Sequence, residues 1–304
     1  MEIIVKEENY ISVVLVVHND AQILIERLNL LDRALASRFM HYEIIVVDNF
    51  SRDDTGSLLR ASDLSLSIVT LARWHNTQSA LTAGVELSIG DYIVEIPSIG
   101  VNADYNHIGK LYDTCREGND FVFLVPKKTR TTSRVFYNLM NRHYKGQTSE
   151  QFVSSLMTLS SRRGQNKTVD VGTRIVNRNV TYVLTGLKCA TVESSAESKA
   201  RRSLRESFDL MTDTLIFHTD YISSLAYLIA FVFFGVCALV IAYSIVMYIV
   251  ISTAPGWAST FIFIGLGFGA LFSLLAIICK YLSSLIKLQL PKNYTFSSVE
   301  KKER

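Results

Sequence analysis

The first hundred residues alternate between short apolar runs and amphipathic stretches. Four runs rich in β-branched residues, typical of buried strands, lie at residues 11–17, 42–47, 67–71 and 91–96. Apolar residues recur with helical spacing near residues 21–38, 51–62, 79–88 and 105–116. Strands that alternate with helices in this way predict an α/β domain with a mixed, mostly parallel sheet.

A long uncharged stretch dominates the last third of the chain. Residues 221–279 contain no Asp, Glu, Lys, Arg or His, which is room for two membrane-spanning helices of about 20 residues each. The sequence Ser-Thr-Ala-Pro-Gly at 252–256 is a turn signal, so we place the two spans near 226–251 and 257–279. Glycines at 265, 267 and 269 could pack on the first span or on another subunit, or simply be tolerated in lipid.

Composition and charge narrow the class of protein. The chain is 49% hydrophobic and 19% charged, with a mean hydropathy of +0.23, which excludes a disordered chain and is unusual for a soluble domain. The overall charge of +3 comes from the basic tail 280–304, so a nucleic-acid partner is not expected. Four cysteines without C-x-x-C spacing argue against a zinc site or a disulfide framework.

The charge pattern also predicts a topology. The first eight residues are acidic and lack the apolar core of a secretory signal, so residues 1–220 should stay in the cytoplasm. Two spans return the basic tail to the same side, as the positive-inside rule requires. We therefore expect a multi-pass protein of the inner, cytoplasmic membrane, with the N-terminal domain and the tail both cytoplasmic.

Several segments, in order, resemble family 2 glycosyltransferases. They are SVVLVVHND at 12–20, VVDNFSRDDT at 46–55, ARWHNTQSALTAG at 72–84, GD at 90–91 and ESK at 197–199. This chain, with its two C-terminal spans, resembles the polyisoprenyl-phosphate branch of that family, which includes proteins like dolichol-phosphate mannose synthase. The resemblance covers nearly the whole chain and implies a GT-A fold, which is Rossmann-like.

The resemblance implies transfer of a sugar from a nucleotide-sugar to a polyprenyl phosphate at the cytoplasmic leaflet, for a cell-surface polysaccharide or another glycan. It divides the chain into a nucleotide-sugar-binding core at 1–125, an acceptor region with amphipathic interfacial helices at 126–220, two transmembrane helices at 221–280 and a cytoplasmic basic tail at 281–304.

Polar residues follow the predicted strands, at the edge where α/β sheets bind ligands. The resemblance assigns the nucleotide to Asp20 and Asp48, because carboxylates accept hydrogen bonds from bases and ribose hydroxyls. Capping of the following helices is the alternative role for these two side chains. The full predicted nucleotide-binding set is Asn19, Asp20, Asp48, Asn49, Arg73 and Gln78.

The chain departs from the family where the family holds its metal. The family's D-x-D carboxylates bind Mg²⁺ or Mn²⁺ on the donor diphosphate, and their positions fall here on Pro97, Ser98 and Ile99. Glu95 and Asp104, the latter within Asn-Ala-Asp at 102–104, are weak substitutes. A Mg or Mn ion is therefore expected only if the protein is active.

The family's acceptor-site Asp is also missing, and Glu150 is the nearest acid to the matching segment at 157–162. Phe50 and Trp74 add bulk where the family keeps small or polar residues. Two functions therefore stay open. One is an active glycosyltransferase; the other is an inactive pseudoenzyme that serves as scaffold or regulatory partner of an active glycosyltransferase, a flippase or a polymerase.

A basic amphipathic segment at 127–145 is expected to lie on an anionic leaflet, although a solvated basic face would look the same. The resemblance places the lipid phosphate in this region and in the segment before the spans. Arginine binds phosphate through paired donors, so the predicted lipid-phosphate set is Arg130, Arg134, Lys199, Arg201 and Arg202. The predicted partners are nucleotide-sugar, polyprenyl phosphate, membrane lipid and either a second copy or an active glycosyltransferase.

Overall fold

The structure is a computed structural model that describes residues 6–100, 104–172, 175–197, 204–219, 221–251, 257–289 and 296–302. The chain forms two compact units. The first contains Met1–Met211 together with Pro291–Arg304, and the second contains Thr212–Leu290. The predicted lipid-phosphate residues Lys199, Arg201 and Arg202, like Asn102 and Ala103, lie outside the described residues.

In its described part, the first unit is built on one eight-stranded sheet. The strands are β1 (Ile11–Val17), β2 (Tyr42–Asp48), β3 (Leu66–Leu71), β4 (Tyr92–Ile96), β5 (Phe121–Lys128), β6 (Met157–Ser161), β7 (Cys189–Glu197) and β8 (Phe296–Lys302). Their order is β7-β5-β6-β4-β1-β2-β3-β8. Strands β1 to β4 pair in parallel, as do β5 and β7, whereas β6 and β8 are antiparallel to their neighbours. The predicted mixed, mostly parallel sheet is confirmed.

Ten helices are described. They are α1 (Ala21–Arg38), α2 (Thr55–Ala61), α3 (Thr77–Leu87), α4 (His107–Arg116), α5 (Thr131–His143), α6 (Arg162–Val171), α7 (Arg178–Leu184), α8 (Leu204–His218), α9 (Tyr221–Ile251) and α10 (Trp257–Gln289). The four helices predicted in the first 116 residues are present with shifts of a few residues. The helical pattern of the basic segment corresponds to α5, which buries Phe136 and Met140.

Both faces of the central strand are covered. All seven residues of β1 are buried; Val13 and Leu15 pack in one apolar cluster with α1, and Val14 and Val16 pack in another with α3. A strand with a helical layer on each face is apolar on both faces, which is why every residue of β1 except Ser12 is apolar and the sequence shows no alternation. The sheet also continues beyond residue 125, since β5 runs to Lys128 and β6 and β7 follow it.

Gly84 lies where α3 approaches the sheet most closely. A Cβ atom added there would lie 2.8 Å from Val47 Cγ2 and closer still to Val14 Cγ1. We expect Gly84→Ala to lower the free energy of unfolding by about 1–3 kcal/mol through overpacking, measured by urea unfolding of the full chain in detergent. Gly109→Ala is the matched control, because its added Cβ meets no atom within 4 Å. Equal losses in the two variants would contradict this close approach.

The sequence alone predicted a basic tail at 281–304. In the structure, residues 296–302 of this tail form strand β8 of the sheet. Its strand β8 pairs antiparallel with β3, from Leu66 opposite Lys302 to Leu71 opposite Phe296. Arg60 holds Glu300 with Nε–Oε2 at 3.1 Å, and the Lys302 ammonium donates to the Arg60 carbonyl at 2.9 Å. The tail therefore covers an edge of the sheet that β3 would otherwise expose.

Two helices of the second unit are long and apolar enough to cross a membrane. The qualifying stretches are Ala230–Met247 and Thr260–Cys279, with mean hydropathies of 2.5 and 2.6. The two helices pack on each other, with Phe233 and Phe272 stacked at 4.6 Å between ring centroids. A Cβ atom added at Gly265 would lie 3.1 Å from Ile241 Cγ1, and one added at Gly269 would lie 3.6 Å from Phe234 Cδ2, both within the same unit. These two glycines thus pack on the first of the two helices, one of the roles that the sequence left open.

Candidate functional site

The carboxyl ends of β1 to β4 form the edge at which α/β sheets of this kind bind ligands in a crevice, and Asp20 lies in the turn after β1. The Asp20 side chain is buried, and its Oδ2 accepts a hydrogen bond from the His18 amide at 3.0 Å. The Asp20 amide donates to Thr55 Oγ1 at 3.0 Å. Because the Asp20 side chain makes no capping hydrogen bond to α1, the structure does not support the capping alternative for this residue.

Asp48 ends β2 and is held in a similar way. Its side chain is 5% exposed, and its Oδ1 accepts from the Ser51 amide at 2.9 Å. Phe50, which lies between Asp48 and Ser51 in the chain, takes a left-handed backbone conformation with φ 61°. Glycine adopts this conformation without strain. The Phe50 ring is only partly buried and lies under the guanidinium of Arg52, 5.4 Å from Cζ to the ring centroid.

The side chains of Asn19 and Asn49 make hydrogen bonds to the backbone of neighbouring segments. The Asn49 side chain donates to the His75 carbonyl at 2.7 Å and accepts from the His75 amide at 2.9 Å, which fixes the end of β2 to the end of β3. Asn19, with φ 53°, accepts from the Arg52 amide at 2.8 Å. Both asparagines therefore fix the turns at this edge of the sheet, and the Asn49 side chain uses one of its two donors and one of its two acceptor positions on the His75 backbone.

The segment after β3 presents a cation and an aromatic ring to solvent. Arg73 is exposed, and Trp74 is 48% exposed. His75 is buried, its Nδ1 lies 2.6 Å from the Arg73 carbonyl, and burial lowers the pKa of His75. Its Nε2 has no hydrogen-bond partner among the described residues. Gln78 is buried and accepts from the Arg178 amide at 2.8 Å, so its Oε1 holds α7 in place.

The end of β4 does not fit a divalent cation. Pro97 and Ile99 offer no side-chain oxygen; Ile99 is fully buried, and its amide donates to the Val16 carbonyl at 3.3 Å. Asp104 is exposed, and its Oδ1 accepts from the Asn106 amide at 2.9 Å in the turn before α4. Among the described residues, no group of three or more His, Cys, Asp or Glu side chains could hold a metal ion.

Glu95 lies in a fully buried ionic network instead of facing the crevice. Arg178 and Glu95 are each 2% exposed and pair with Nε–Oε2 at 2.5 Å and Nη2–Oε1 at 3.1 Å. Gln165 Nε2 donates to Glu95 Oε1 at 2.9 Å, and the Tyr182 hydroxyl donates to the same oxygen. Both Glu95 oxygens are therefore occupied, so this carboxylate cannot replace a D-x-D ligand without breaking the network.

Burial and the charge of Glu95 together shift the pKa values of Arg178 and Tyr182 in this network. Burial acts to lower the pKa of Arg178, but the adjacent Glu95 carboxylate outweighs it, so the guanidinium stays charged. Burial raises the pKa of Tyr182 well above its ordinary value, which keeps its hydroxyl protonated as a donor. Thr82 Oγ1 accepts from Arg178 Nη1 at 2.9 Å. The network therefore ties α3, β4, α6 and α7 together.

The remaining predicted residues, Glu150, Arg130 and Arg134, lie in or next to the elements that follow β5. Glu150 is half-buried in the loop before β6, where its carbonyl accepts from Thr148 Oγ1 at 3.2 Å. Arg130 immediately precedes α5, and Arg134 lies in its first turn, exposed to solvent. The roles predicted for these side chains in acceptor chemistry and lipid-phosphate binding stay predictions.

A comparison with protein families agrees with this fold. The glycosyl transferase family 2 profile matches residues 12–180, which is more than half of the chain and spans β1 to the start of α7. The chain belongs to glycosyl transferase family 2.

Two curated relatives of this chain carry the same description, undecaprenyl-phosphate 4-deoxy-4-formamido-L-arabinose transferase. The protein from Pseudomonas fluorescens is 31% identical over 91 residues, 29% of this chain and 27% of the relative. The protein from Klebsiella pneumoniae is 32% identical over 116 residues, 37% of this chain and 35% of the relative. The matched segment thus spans about a third or less of these relatives.

Solved structures share the fold of about two thirds of the chain. The mannosyltransferase PcManGT from Pyrobaculum calidifontis, in complex with GDP-Man and Mn2+, aligns with a TM-score of 0.51 at 17% identity, covering 69% of this chain and 63% of that one. Glucosyl-3-phosphoglycerate synthase from Mycobacterium tuberculosis, with Mg2+ and UDP, aligns with a TM-score of 0.53 at 17% identity, covering 68% and 77%. This likeness confirms the predicted GT-A-type fold.

Proposed function

We propose that this glycosyltransferase transfers a sugar from a nucleotide-sugar to a polyprenyl phosphate at a membrane surface. The observation that carries the proposal is the pair of buried carboxylates, Asp20 and Asp48, at the ends of neighbouring parallel strands in a family 2 chain. The acceptor class is supported by the two relatives described as undecaprenyl-phosphate transferases.

In this proposal the crevice binds the donor through its own polar groups. Asp48 and Asp20 accept hydrogen bonds from the base or the ribose, whose hydroxyls are donors. Arg52 and Arg73 lie exposed after β2 and β3, where guanidinium groups offset the negative charge of the leaving diphosphate. Phe50 and Trp74 supply apolar surface next to these cations and narrow the space for the donor.

The proposal assigns no step to a metal ion. Mn2+ and Mg2+ accompany the solved relatives, but the positions of the family's two metal carboxylates hold Pro97 and Ile99 in this chain. We therefore assign neutralisation of the charge on the leaving diphosphate to arginine side chains. We expect nucleotide binding to persist in an excess of EDTA.

A second function is favoured by the same position. With Ile99 fully buried at the end of β4 and Glu95 held by Arg178, the chain lacks recognisable catalytic carboxylates at this strand end. An inactive partner of an active glycosyltransferase, flippase or polymerase would keep the fold and the two apolar helices while losing these groups.

A transfer assay separates the two functions. The full chain in detergent is incubated with undecaprenyl phosphate and a panel of UDP- and GDP-sugars, and nucleoside diphosphate release is measured with and without the lipid. We expect release that requires the lipid. If no donor in the panel gives lipid-dependent release although nucleotide binds, the chain is the inactive partner.

The membrane arrangement is supported by the tail strand. Because β8 pairs with β3 within the first unit, the chain that leaves this unit near Met211 returns to it near Pro291. If α9 and α10 lie in a bilayer, a chain that leaves the first unit and returns to it crosses the bilayer an even number of times. We therefore propose that the sheet and the tail share the cytoplasmic side, with the exposed Arg134 of α5 facing anionic lipid.

Labelling with a membrane-impermeant maleimide tests this topology. In intact bacterial cells, Ala254→Cys, between the two apolar helices, should be labelled, whereas Ser57→Cys, in α2, should react only after the cells are permeabilised. The chain without either substitution controls for its native cysteines. Labelling of both variants in intact cells would contradict the proposed sidedness.

A further inference from the structure

The loop between α5 and β6 ends in irregular backbone that is held at both ends. Phe152 and Leu156 are buried, 2% and 5% exposed. The Phe152 amide donates to Asn141 Oδ1 at 2.8 Å, and Asn141 Nδ2 donates to the Phe152 carbonyl at 3.0 Å. The Leu156 amide donates to the Leu124 carbonyl of β5 at 2.8 Å. Residues 153–155, which we call the 153–155 segment, lie between these anchors and are only partly buried.

Asn179, in the first turn of α7, holds the middle of this loop end. Its Nδ2 donates to the Val153 carbonyl at 3.1 Å and to Ser155 Oγ at 2.8 Å, and its Oδ1 accepts from Thr158 Oγ1 at 3.3 Å. Ser155 Oγ also lies 2.9 Å from Thr158 Oγ1. Irregular backbone is costly to order, so these hydrogen bonds from the Asn179 side chain determine the path of the accessible 153–155 segment.

The residue before Asn179 fixes the same helix to the donor side of the sheet. The Arg178 amide donates to Gln78 Oε1 of α3 at 2.8 Å, and the Arg178 guanidinium pairs with Glu95 of β4. Helix α7 therefore contacts α3 and β4 through Arg178 and the 153–155 segment through Asn179. Because both contacts come from consecutive residues of one helix, they fix the spacing between the two sides.

The 153–155 segment lies at the same edge of the sheet as Asp20 and Asp48. Strand β6 is antiparallel to β4, and Thr158 lies opposite Glu95 near the carboxyl end of β4, so the residues before Thr158 lie beyond that end. Only β4 separates β6 from β1, a distance of about 10 Å at the usual strand spacing. The segment is therefore placed to meet an acceptor while a donor occupies the ends of β1 and β2.

We propose that Asn179 is a positioning residue for the acceptor, and that it fixes the 153–155 segment where the phosphate of a polyprenyl phosphate binds. Ser154 is half-buried in this segment, and hydroxyl groups donate hydrogen bonds to phosphate oxygens. A segment that is ordered before the lipid arrives avoids the entropy cost of ordering it on binding. The identity of the acceptor rests on the proposed transferase function, whereas the hydrogen bonds of Asn179 do not.

Binding of undecaprenyl phosphate to the full chain in detergent, measured by thermophoresis, tests the proposal. Asn179→Asp keeps the shape and one oxygen of the side chain but loses both donated hydrogen bonds, so it should weaken lipid binding by about tenfold. Nucleotide affinity, measured by calorimetry, should stay unchanged, because Arg178 still holds α3 and β4. A carboxylate in the first turn of α7 also favours that helix, so the unfolding temperature should not fall. A purely structural role would lower nucleotide affinity and the unfolding temperature together.

Two further variants control for charge and for folding. Asn166→Asp makes the same chemical change at an exposed position of α6 and should leave both affinities unchanged. Ser155→Ala removes one partner of Asn179 without adding a charge and should weaken lipid binding in the same direction.

Transfer kinetics separate this inference from the proposed function. If the chain is active, Asn179→Asp should raise the KM for undecaprenyl phosphate and leave the KM for the nucleotide-sugar unchanged. If the unsubstituted chain binds the lipid without transferring a sugar, the transferase function fails, and the positioning role stands when Asn179→Asp alone weakens lipid binding. Equal lipid binding by the unsubstituted chain and Asn179→Asp, a parallel loss of nucleotide affinity, or no lipid binding by the unsubstituted chain would overturn the inference.

Discussion

Arg178→Met is expected to lower the free energy of unfolding by about 3–5 kcal/mol, because it leaves the Glu95 carboxylate charged, buried and without its cation. Arg178 and Glu95 are each 2% exposed, so water cannot replace the lost partner. The loss should be measured by urea unfolding of the full chain in detergent, followed by near-ultraviolet circular dichroism.

Two further variants make this result specific. Arg60→Met removes an arginine from an exposed ion pair, in which the side chains of Arg60 and Glu300 are 50% and 43% exposed, so we expect a far smaller loss of stability. Glu95→Leu combined with Arg178→Met should recover most of the stability, since replacing a whole buried pair with apolar groups is often neutral. A double variant as unstable as Arg178→Met alone would show that the Glu95 charge is not the cause.

Asp48→Asn is expected to weaken nucleotide-sugar binding by about 10- to 100-fold, the effect of one hydrogen bond to a charged group. Asparagine keeps an oxygen for the Ser51 amide, which Asp48 Oδ1 accepts at 2.9 Å, so the turn after β2 should stay folded. Calorimetric titration of the full chain with UDP- and GDP-sugars measures the change.

Asp113→Asn is the matched control for charge. Asp113 is an exposed residue of α4 that pairs with Arg38 at 2.6 Å, so its substitution should leave nucleotide affinity unchanged. If both substitutions weaken binding equally, the effect comes from net charge and Asp48 is not a nucleotide ligand.

The sequence predicted the first four strands because each is an apolar run that is buried on both faces. Such a run can be recognised from its own residues alone. It did not predict the four later strands, β5 to β8. The sequences of β7 and β8, CATVESSAE and FSSVEKK, are largely polar. Strand β8 depends on pairing with β3, which lies more than 200 residues earlier. Such pairing is set by tertiary contacts and has no local signature.

The positions of Asp20 and Asp48 were predictable, because each follows an apolar run at the end of β1 or β2; their role in nucleotide binding stays a prediction. The network around Glu95 was not predicted, because its partner Arg178 lies 83 residues away. A signal was present: Glu95 and Arg178 are each a single charge within an otherwise apolar or uncharged stretch, and charges buried by such stretches must be paired. The internal role of Asn49 could not be inferred, since it depends on the position of the His75 backbone.

The most direct measurement is an experimental structure of the full chain with a bound nucleotide-sugar and undecaprenyl phosphate, prepared in EDTA. The account predicts density for the nucleotide at the carboxyl ends of β1 and β2, within hydrogen-bond distance of the Asp48 carboxylate and next to Arg73. Density elsewhere, or an empty crevice at saturating nucleotide, would contradict it.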